Sequence, residues 1–300
     1  MSTDNLVGRT LAGFRLISFV GEGGTATVYT SEHAEYGRCA VKVLKTRIAQ
    51  DPTHVKRFLR EAEFGSRISH PNIVATYAWG EAEGRHYLAM QWVEGESLAN
   101  FAVRSGTLAV PVVSGIVRQI GAALAAAHAK GIIHRDLKPA NIQYDPATQT
   151  AILLDFGIAR DAEASGEDRL TRTGFFVGSL QYVAPEALSG ELVGEQADVY
   201  SLATITYHLL TGVLPFPGKN PRELFQQLLS QAPTPLNQAV KGLRVDAAVE
   251  AAVMHGLERD LGRRTKKIDA FAEEFCTAVD VGGTKKPGFL SGLRGMFGGG

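Results

Sequence analysis

The chain has 300 residues, 45% of them hydrophobic, enough to bury a large core in one bilobal domain or in two small ones. Lysine plus arginine equals aspartate plus glutamate at 31 each, so no global charge argues for nucleic acid as a partner. Two cysteines, Cys39 and Cys276, form no spaced cluster and the 8 histidines are scattered, which argues against a zinc site and suits a reducing compartment. The first ten residues are polar and lack the apolar run of a secretory leader, and no window reaches the ~18–20 uninterrupted apolar residues that span a bilayer. A soluble, cytoplasmic protein is therefore expected.

Residues 14–92 are mostly strand-like. Phe14, Arg15, Leu16 and Ile17 precede a glycine turn, Val28 and Tyr29 follow it, and the run from Cys39 to Leu44 reads as a third strand. Over 53–67, Val55, Phe58, Leu59 and Ala62 fall at helical spacing; Pro71 then closes a connection before strands at 73–79 and 86–92. Beyond Gly95 the pattern turns helical. An alanine-rich helix over 111–130 ends at Gly131, and a second over 195–211 ends at Gly212. Shorter helices are expected over 222–229, 247–257 and 268–279. The chain divides into an extension at 1–13, a folded region at 14–280 and a flexible tail at 281–300. That tail holds eight glycines and three basic groups, Lys285, Lys286 and Arg294, with no acid. Phe289, Leu290, Leu293, Met296 and Phe297 give it a short apolar face, but so much glycine favours a linker over membrane contact.

Chemistry concentrates in one stretch. His134, Arg135, Asp136, Leu137, Lys138, Pro139, Ala140 and Asn141, followed by Asp155, Phe156 and Gly157, supply a candidate base, a cation and two oxygen ligands suited to a divalent metal. Phosphoryl transfer from ATP needs these parts: an oriented acceptor hydroxyl and Mg²⁺ bridging the phosphates. Upstream, Gly21, Glu22, Gly23, Gly24, Thr25, Ala26, Thr27 and Val28 lie between two strands. Backbone N–H groups can approach phosphates closely only where side chains are missing, although the run alone also fits a plain hairpin turn. Lys42 and Glu61 read singly as solvated charges. Their joint spacing, with Glu61 ten residues before Pro71, favours a functional pair.

With Ala184, Pro185 and Glu186 further on, these blocks resemble, in order and spacing, a bacterial eukaryotic-like (Hanks-type) serine/threonine protein kinase, from about residue 14 to about 278. The resemblance implies an α+β, bilobal protein-kinase fold. Its small lobe, 14–92, would be a five-stranded antiparallel sheet with one helix, and its larger, mainly helical lobe would span 95–280. It implies ATP with Mg²⁺ or Mn²⁺, and protein serine or threonine hydroxyls as acceptors. Lys42 would contact the α and β phosphates and pair with Glu61. Asp136 would take or orient the hydroxyl proton, Lys138 would neutralise charge on the transferred group, and Asn141 and Asp155 would hold the metal. A lysine two residues after Asp136 is the serine/threonine pattern.

Adenine would lie between Val20, Val28 and Ala40 above and the large-lobe floor below. Met90 would be the gatekeeper, and Gln91, Trp92 and Val93 the hinge whose backbone reads the base. Two positions depart from the family: Ala26 replaces its third glycine, stiffening the loop tip, and Gln143 replaces an apolar floor residue. In support, His134 would pack beside Phe156, and Asp198 would fix the catalytic-loop backbone. Glu186 would form a buried ion pair with Arg264, for which Arg263 could be mistaken. Arg135 would receive a phosphate from the activation segment, where Thr171 and Thr173 precede Ser179, itself a replacement for threonine. Self-association would allow phosphorylation in trans. A nucleotide-binding scaffold without activity and a small-molecule phosphotransferase are the alternatives. The intact set Lys42, Glu61, Asp136, Asn141 and Asp155 argues against the first, and the Ala184 to Glu186 block against the second.

Overall fold

The computed structural model describes residues 5–155, 181–188, 193–218 and 220–284. Period-two alternation builds the small lobe. Strands β1 (Thr10–Leu11), β2 (Phe14–Glu22), β3 (Ala26–His33), β4 (Gly37–Leu44), β5 (Thr76–Ala82) and β6 (Arg85–Gln91) form one antiparallel sheet in the order β1-β2-β3-β4-β6-β5. Side chains that alternate along a strand serve two faces. Leu16, Tyr29, Val41 and Ala89 enter one core cluster, while Ala26, Ala40, Leu88 and Met90 enter a second with Phe58 and Ala62. Those last two lie on helix α2 (Pro52–Ser66), whose N-terminus is fixed by Asp51 accepting a hydrogen bond from the Thr53 N–H at 2.8 Å, with proline in the first turn. All five expected strands are present. Strand β1 adds a sixth at the edge, and the single turn α1 (Thr46–Ala49) adds a second helix.

The strand expected over 73–79 starts only at Thr76, because the residues before it pair elsewhere. Ile73 bridges Leu153 in parallel, the Val74 N–H donates to Leu153 O at 2.9 Å, and the Leu153 N–H donates to Asn72 O at 2.9 Å. Leu153 ends β9 (Thr150–Leu153), which pairs with β8 (Ile142–Asp145) and through it with β7 (Glu96–Ser97). The small lobe is thus joined to the large lobe behind the cleft as well as through residues 92–95 in front. At that front crossing Gly95 has φ +95°, and a Cβ there would collide with the Tyr144 carbonyl oxygen.

The large lobe contains α3 (Leu98–Ser105), α4 (Val110–His128), α5 (Pro185–Leu188), α6 (Gln196–Thr211), α7 (Pro221–Ser230), α8 (Leu236–Ala239), α9 (Ala247–Gly256) and α10 (Ile268–Thr284). Helix α6 is buried on nearly all sides, as expected for a helix at the centre of a core. Gly212, at φ +72°, ends it. By length and composition α4 could cross a membrane, but Val113, Ile116, Ile120 and Leu124 bury one face of it in the large-lobe core. Helix α10 continues to Thr284, four residues past the boundary expected at 280. Once nucleated by the buried Phe271 and Phe275, a helix extends at little cost. The tail residues Lys285, Lys286, Phe289, Leu290, Leu293, Arg294, Met296 and Phe297 lie outside the described residues.

Candidate active site

Lys42 sits in mid-strand on β4, in register with Val28 on one side and Leu88 on the other, so its backbone has no freedom to wander. Its Nζ donates to Glu61 Oε1 at 2.7 Å and to Asp155 Oδ2 at 3.1 Å. One cation therefore ties the small-lobe sheet, helix α2 and the residue just after β9. Burial pulls the Lys42 ammonium down, but the Asp155 and Glu61 carboxylates outweigh it and hold its pKa above the ordinary lysine value. For Glu61 burial is the largest effect and pushes the carboxyl up, against the attraction of Lys42.

Beneath this triad, Asp136 and Lys138 meet across 2.8 Å, Nζ to Oδ2. The Asn141 side-chain N–H donates to the Asp136 carbonyl at 2.9 Å, and the Leu154 N–H donates to Asn141 O at 2.9 Å, which places Asn141 beside the chain leading into Asp155. The loop carries strain: Arg135 has φ +62°, a conformation that side-chain-bearing residues adopt at a cost. Fully buried Asp198 on α6 offsets that cost. Its Oδ1 accepts from the Arg135 N–H at 3.0 Å, its Oδ2 accepts from the His134 N–H at 2.8 Å, and the His128 Nε2 lies 2.7 Å from the same oxygen. His134 is likewise fully buried. Burial lowers its pKa, opposed by Asp198 and Asp136, and its Nδ1 accepts from the Asp136 N–H at 3.3 Å. Its surroundings are those of a structural imidazole rather than of a solvent-facing base.

The glycine-rich turn joins β2 and β3. It is closed by the Gly23 N–H donating to Ala26 O at 2.8 Å, with Gly21 opposite Val28 and Glu22 opposite Thr27. None of Gly21, Gly23 and Gly24 has positive φ; a Cβ at Gly21 or Gly24 would meet nothing within 4 Å, and one at Gly23 only the Ala26 oxygen at 3.7 Å. Nothing within the described chain requires glycine there. Ala26 does not stand at the loop tip. It opens β3 and packs with Ala40, Leu44 and Phe58, so its methyl group is absorbed by the core. Val28, Trp92, Val93 and Leu154 pack against the same cluster, Val20 is half-exposed, and Ala40 and Met90 are paired neighbours. Behind Met90 a small cavity is lined by Glu61, Val74, Thr76, Leu88, Leu154 and Asp155. The Gln91 side chain reaches the residue before β5, its Oε1 accepting from the Ala75 N–H at 3.3 Å. Half-buried Gln143 lies on β8 between Ser97 and Ile152.

A family model described as the protein kinase domain matches residues 14–263. The chain belongs to the protein kinase domain family. Serine/threonine-protein kinase pkn3 of Myxococcus xanthus is 34% identical over 285 residues, covering 93% of this chain and 52% of pkn3. The crystal structure of the Mycobacterium tuberculosis PknI kinase domain superposes with a TM-score of 0.70 at 29% identity, covering 91% of this chain and 98% of that one. Rad53 1-466 in complex with AMP-PNP gives a TM-score of 0.72 at 27% identity, covering 88% of this chain and 65% of Rad53. The chain spans about half the length of the curated relatives it matches. Membership of the family implies use of ATP and a divalent metal.

In this kinase domain Glu186 and Arg264 form a two-pronged pair, Nη1 to Oε1 at 2.7 Å and Nη2 to Oε2 at 3.1 Å, with Arg264 1% exposed. Arg263 instead reaches Glu258 at the surface, at 3.2 Å. Phe156, Gly157, Thr171, Thr173 and Ser179 lie outside the described residues. Two residues of the site were not anticipated. His128 has a readable signal, since it falls four residues after Leu124 on the apolar stripe of α4. Lys45 has none; it is one more basic residue at a strand end. Among the described residues no three His, Cys, Asp or Glu side chains form a metal cage. Asn141 and Asp155 bring an amide and a carboxylate to the site, oxygen donors of the kind that hard divalent cations take.

Proposed function

We propose that this kinase domain transfers the γ-phosphate of ATP, with Mg²⁺ as the metal, to serine or threonine hydroxyls of protein substrates. The single observation that supports it most is the Lys42 ammonium held between Glu61 and Asp155 above the Asp136–Lys138 pair. An ion pair between strand lysine and helix glutamate must be in place for transfer in this family. Asp136 orients the incoming hydroxyl and takes its proton, a contribution of about 10²–10⁴-fold. Lys138 neutralises charge on the transferred group. Asn141, its amide N–H groups turned to the Asp136 carbonyl, and Asp155 would hold the metal, which neutralises phosphate charge when bound. The open glycine turn leaves room for phosphates to meet backbone N–H groups, and Val28, Ala40, Met90 and Val93 offer the apolar walls a base requires.

On the same footing, Thr171 or Thr173 accepts phosphate in trans from a second copy and docks on Arg135. The buried free thiols of Cys39 and Cys276 suit a reducing compartment, supporting a cytoplasmic location. The test is labelling with γ-labelled ATP and site mapping. Wild type should label itself and a generic basic protein on serine or threonine, and Asp136→Asn should abolish both while retaining nucleotide binding. Nucleotide binding without transfer by the phosphorylated wild type would overturn the reading. Full activity of Thr171→Ala/Thr173→Ala, with no phosphate mapped there in wild type, would overturn the regulatory part alone.

A further inference from the structure

A second lysine in the small lobe is buried, and no role assigned above uses it. Lys45, directly after β4, is 8% exposed, and the chain turns there from the sheet into α1. Its Nζ donates to the Gly23 carbonyl at 2.7 Å and also contacts the Glu22 carboxylate, while its backbone N–H donates to Thr25 O at 2.9 Å. One residue thus holds three positions of the glycine-rich turn. Beyond the strand pairing of Gly21 with Val28 and of Glu22 with Thr27, the turn is closed by the Gly23 N–H donating to Ala26 O.

We infer that Lys45 is a positioning residue for nucleotide capture: it fixes the glycine-rich turn and neutralises Glu22, the one acid in the segment that would face the phosphates. Glu22 stands between Gly21 and Gly23, where a bare carboxylate would repel a triphosphate. Paired with Lys45, the acid presents little net charge and its side chain anchors the turn to the sheet. Flexible glycines can then adopt one shape without a ligand, so less ordering is left to be done when the nucleotide arrives. The ammonium lies against loop atoms and not against the Lys42, Glu61 and Asp155 cluster, so its effect falls on binding more than on the transfer step.

The inference rests on the nucleotide reading proposed above, and the test separates the two. In Lys45→Met, which keeps the stem and loses the charge, KM and the calorimetric Kd for ATP should rise about tenfold with kcat changed by less than about threefold, the scale of one charge-assisted bond. Lys45→Arg should restore most of the affinity. In a Glu22→Gln background the same Lys45→Met change should cost less, because no carboxylate is left to expose. In nucleotide-free protein, amide exchange over 22–26 should quicken in Lys45→Met, a readout that needs no activity. Should Lys45→Met fail to fold, Lys45→Gln carries the same expectations. Unchanged Kd, KM and exchange in a folded variant, or an equal cost with and without Glu22, would overturn the role of Lys45. Loss of ATP binding by wild type would instead overturn the nucleotide reading.

Discussion

Removing Glu186 while keeping Arg264 tests how the large lobe holds a buried cation. Arg264 is 1% exposed and its guanidinium lies 5.0 Å from the Tyr200 ring centre. Besides Glu186 it donates to Glu258 O at 2.7 Å, Gln196 O at 3.0 Å and Arg259 O at 3.4 Å. Glu186→Ala deletes two charge-assisted bonds and leaves a cation without its counter-charge, a change that costs about 3–5 kcal/mol when one partner of a buried pair is lost. Three carbonyl acceptors remain, so the lower end, about 3 kcal/mol, is expected. For a domain of this size that is about 6–12 °C in Tm. Arg264→Lys should cost nearly as much, because an ammonium cannot make the paired contact. Glu186→Leu/Arg264→Leu should cost less than the sum of its single changes, since neither charge is then stranded. Urea unfolding followed by tryptophan fluorescence measures each variant. A loss under about 1 kcal/mol for Glu186→Ala, or strict additivity in the double variant, would show that the pair is not the buried, coupled unit described here.

Lys42→Met should lower kcat at least about 100-fold without unfolding the protein, since Glu61 and Asp155 lose the cation that joins them; circular dichroism and single-turnover labelling check both halves. Asp198→Ala removes the acceptor of the His134 and Arg135 N–H groups and leaves Arg135 at φ +62° unsupported, so a loss of about 2–4 kcal/mol is expected in urea unfolding. Mild acid should destabilise the fold through its buried histidines. Burial lowers the pKa of His134 and of His208, so as pH falls through about 6.5 the unfolded chain takes up protons that the native state refuses. Stability is then complete above that pH and falls below it, by at most about 1.4 kcal/mol per pH unit for each histidine. Urea midpoints between pH 7.5 and 5.5 should show this, with a shallower slope in His208→Gln.

Local signals carried much of this structure. Alternation gave the strands, the spacing of Phe58 and Ala62 gave α2, and Gly212 marked a helix end. The site blocks were equally readable because their chemistry demands particular residue types at short spacing. Less legible were contacts between distant segments. Lys42 binds Asp155 as well as Glu61, and that second partner lies 113 residues away, where no periodicity reaches. The choice between Arg263 and Arg264 depended on which side chain turned inward, a matter of rotation by one residue. Ala26 looked like a loop residue because it stands in a glycine-rich run, yet strand pairing with Leu44 draws it into the core. Strand 73–79 shortened because Ile73 and Val74 found a partner in the other lobe.

That partner, Leu153, has a mechanical consequence. Two bodies fastened at two points can turn only about the line through them, and the lobes are fastened at residues 72–74 behind and 92–95 in front. Strand β5 begins just after the rear fastening, and in the sheet order β4 is two strands from it and β3 three, roughly 10 and 14 Å at ordinary strand spacing. Asp155 follows the rear fastening by two residues. A small swing of the upper lobe therefore moves the glycine-rich turn about 1.4 times as far as the strand that carries Lys42. Opening at the mouth of the cleft is thus larger than the accompanying shift of Lys42 over Asp155.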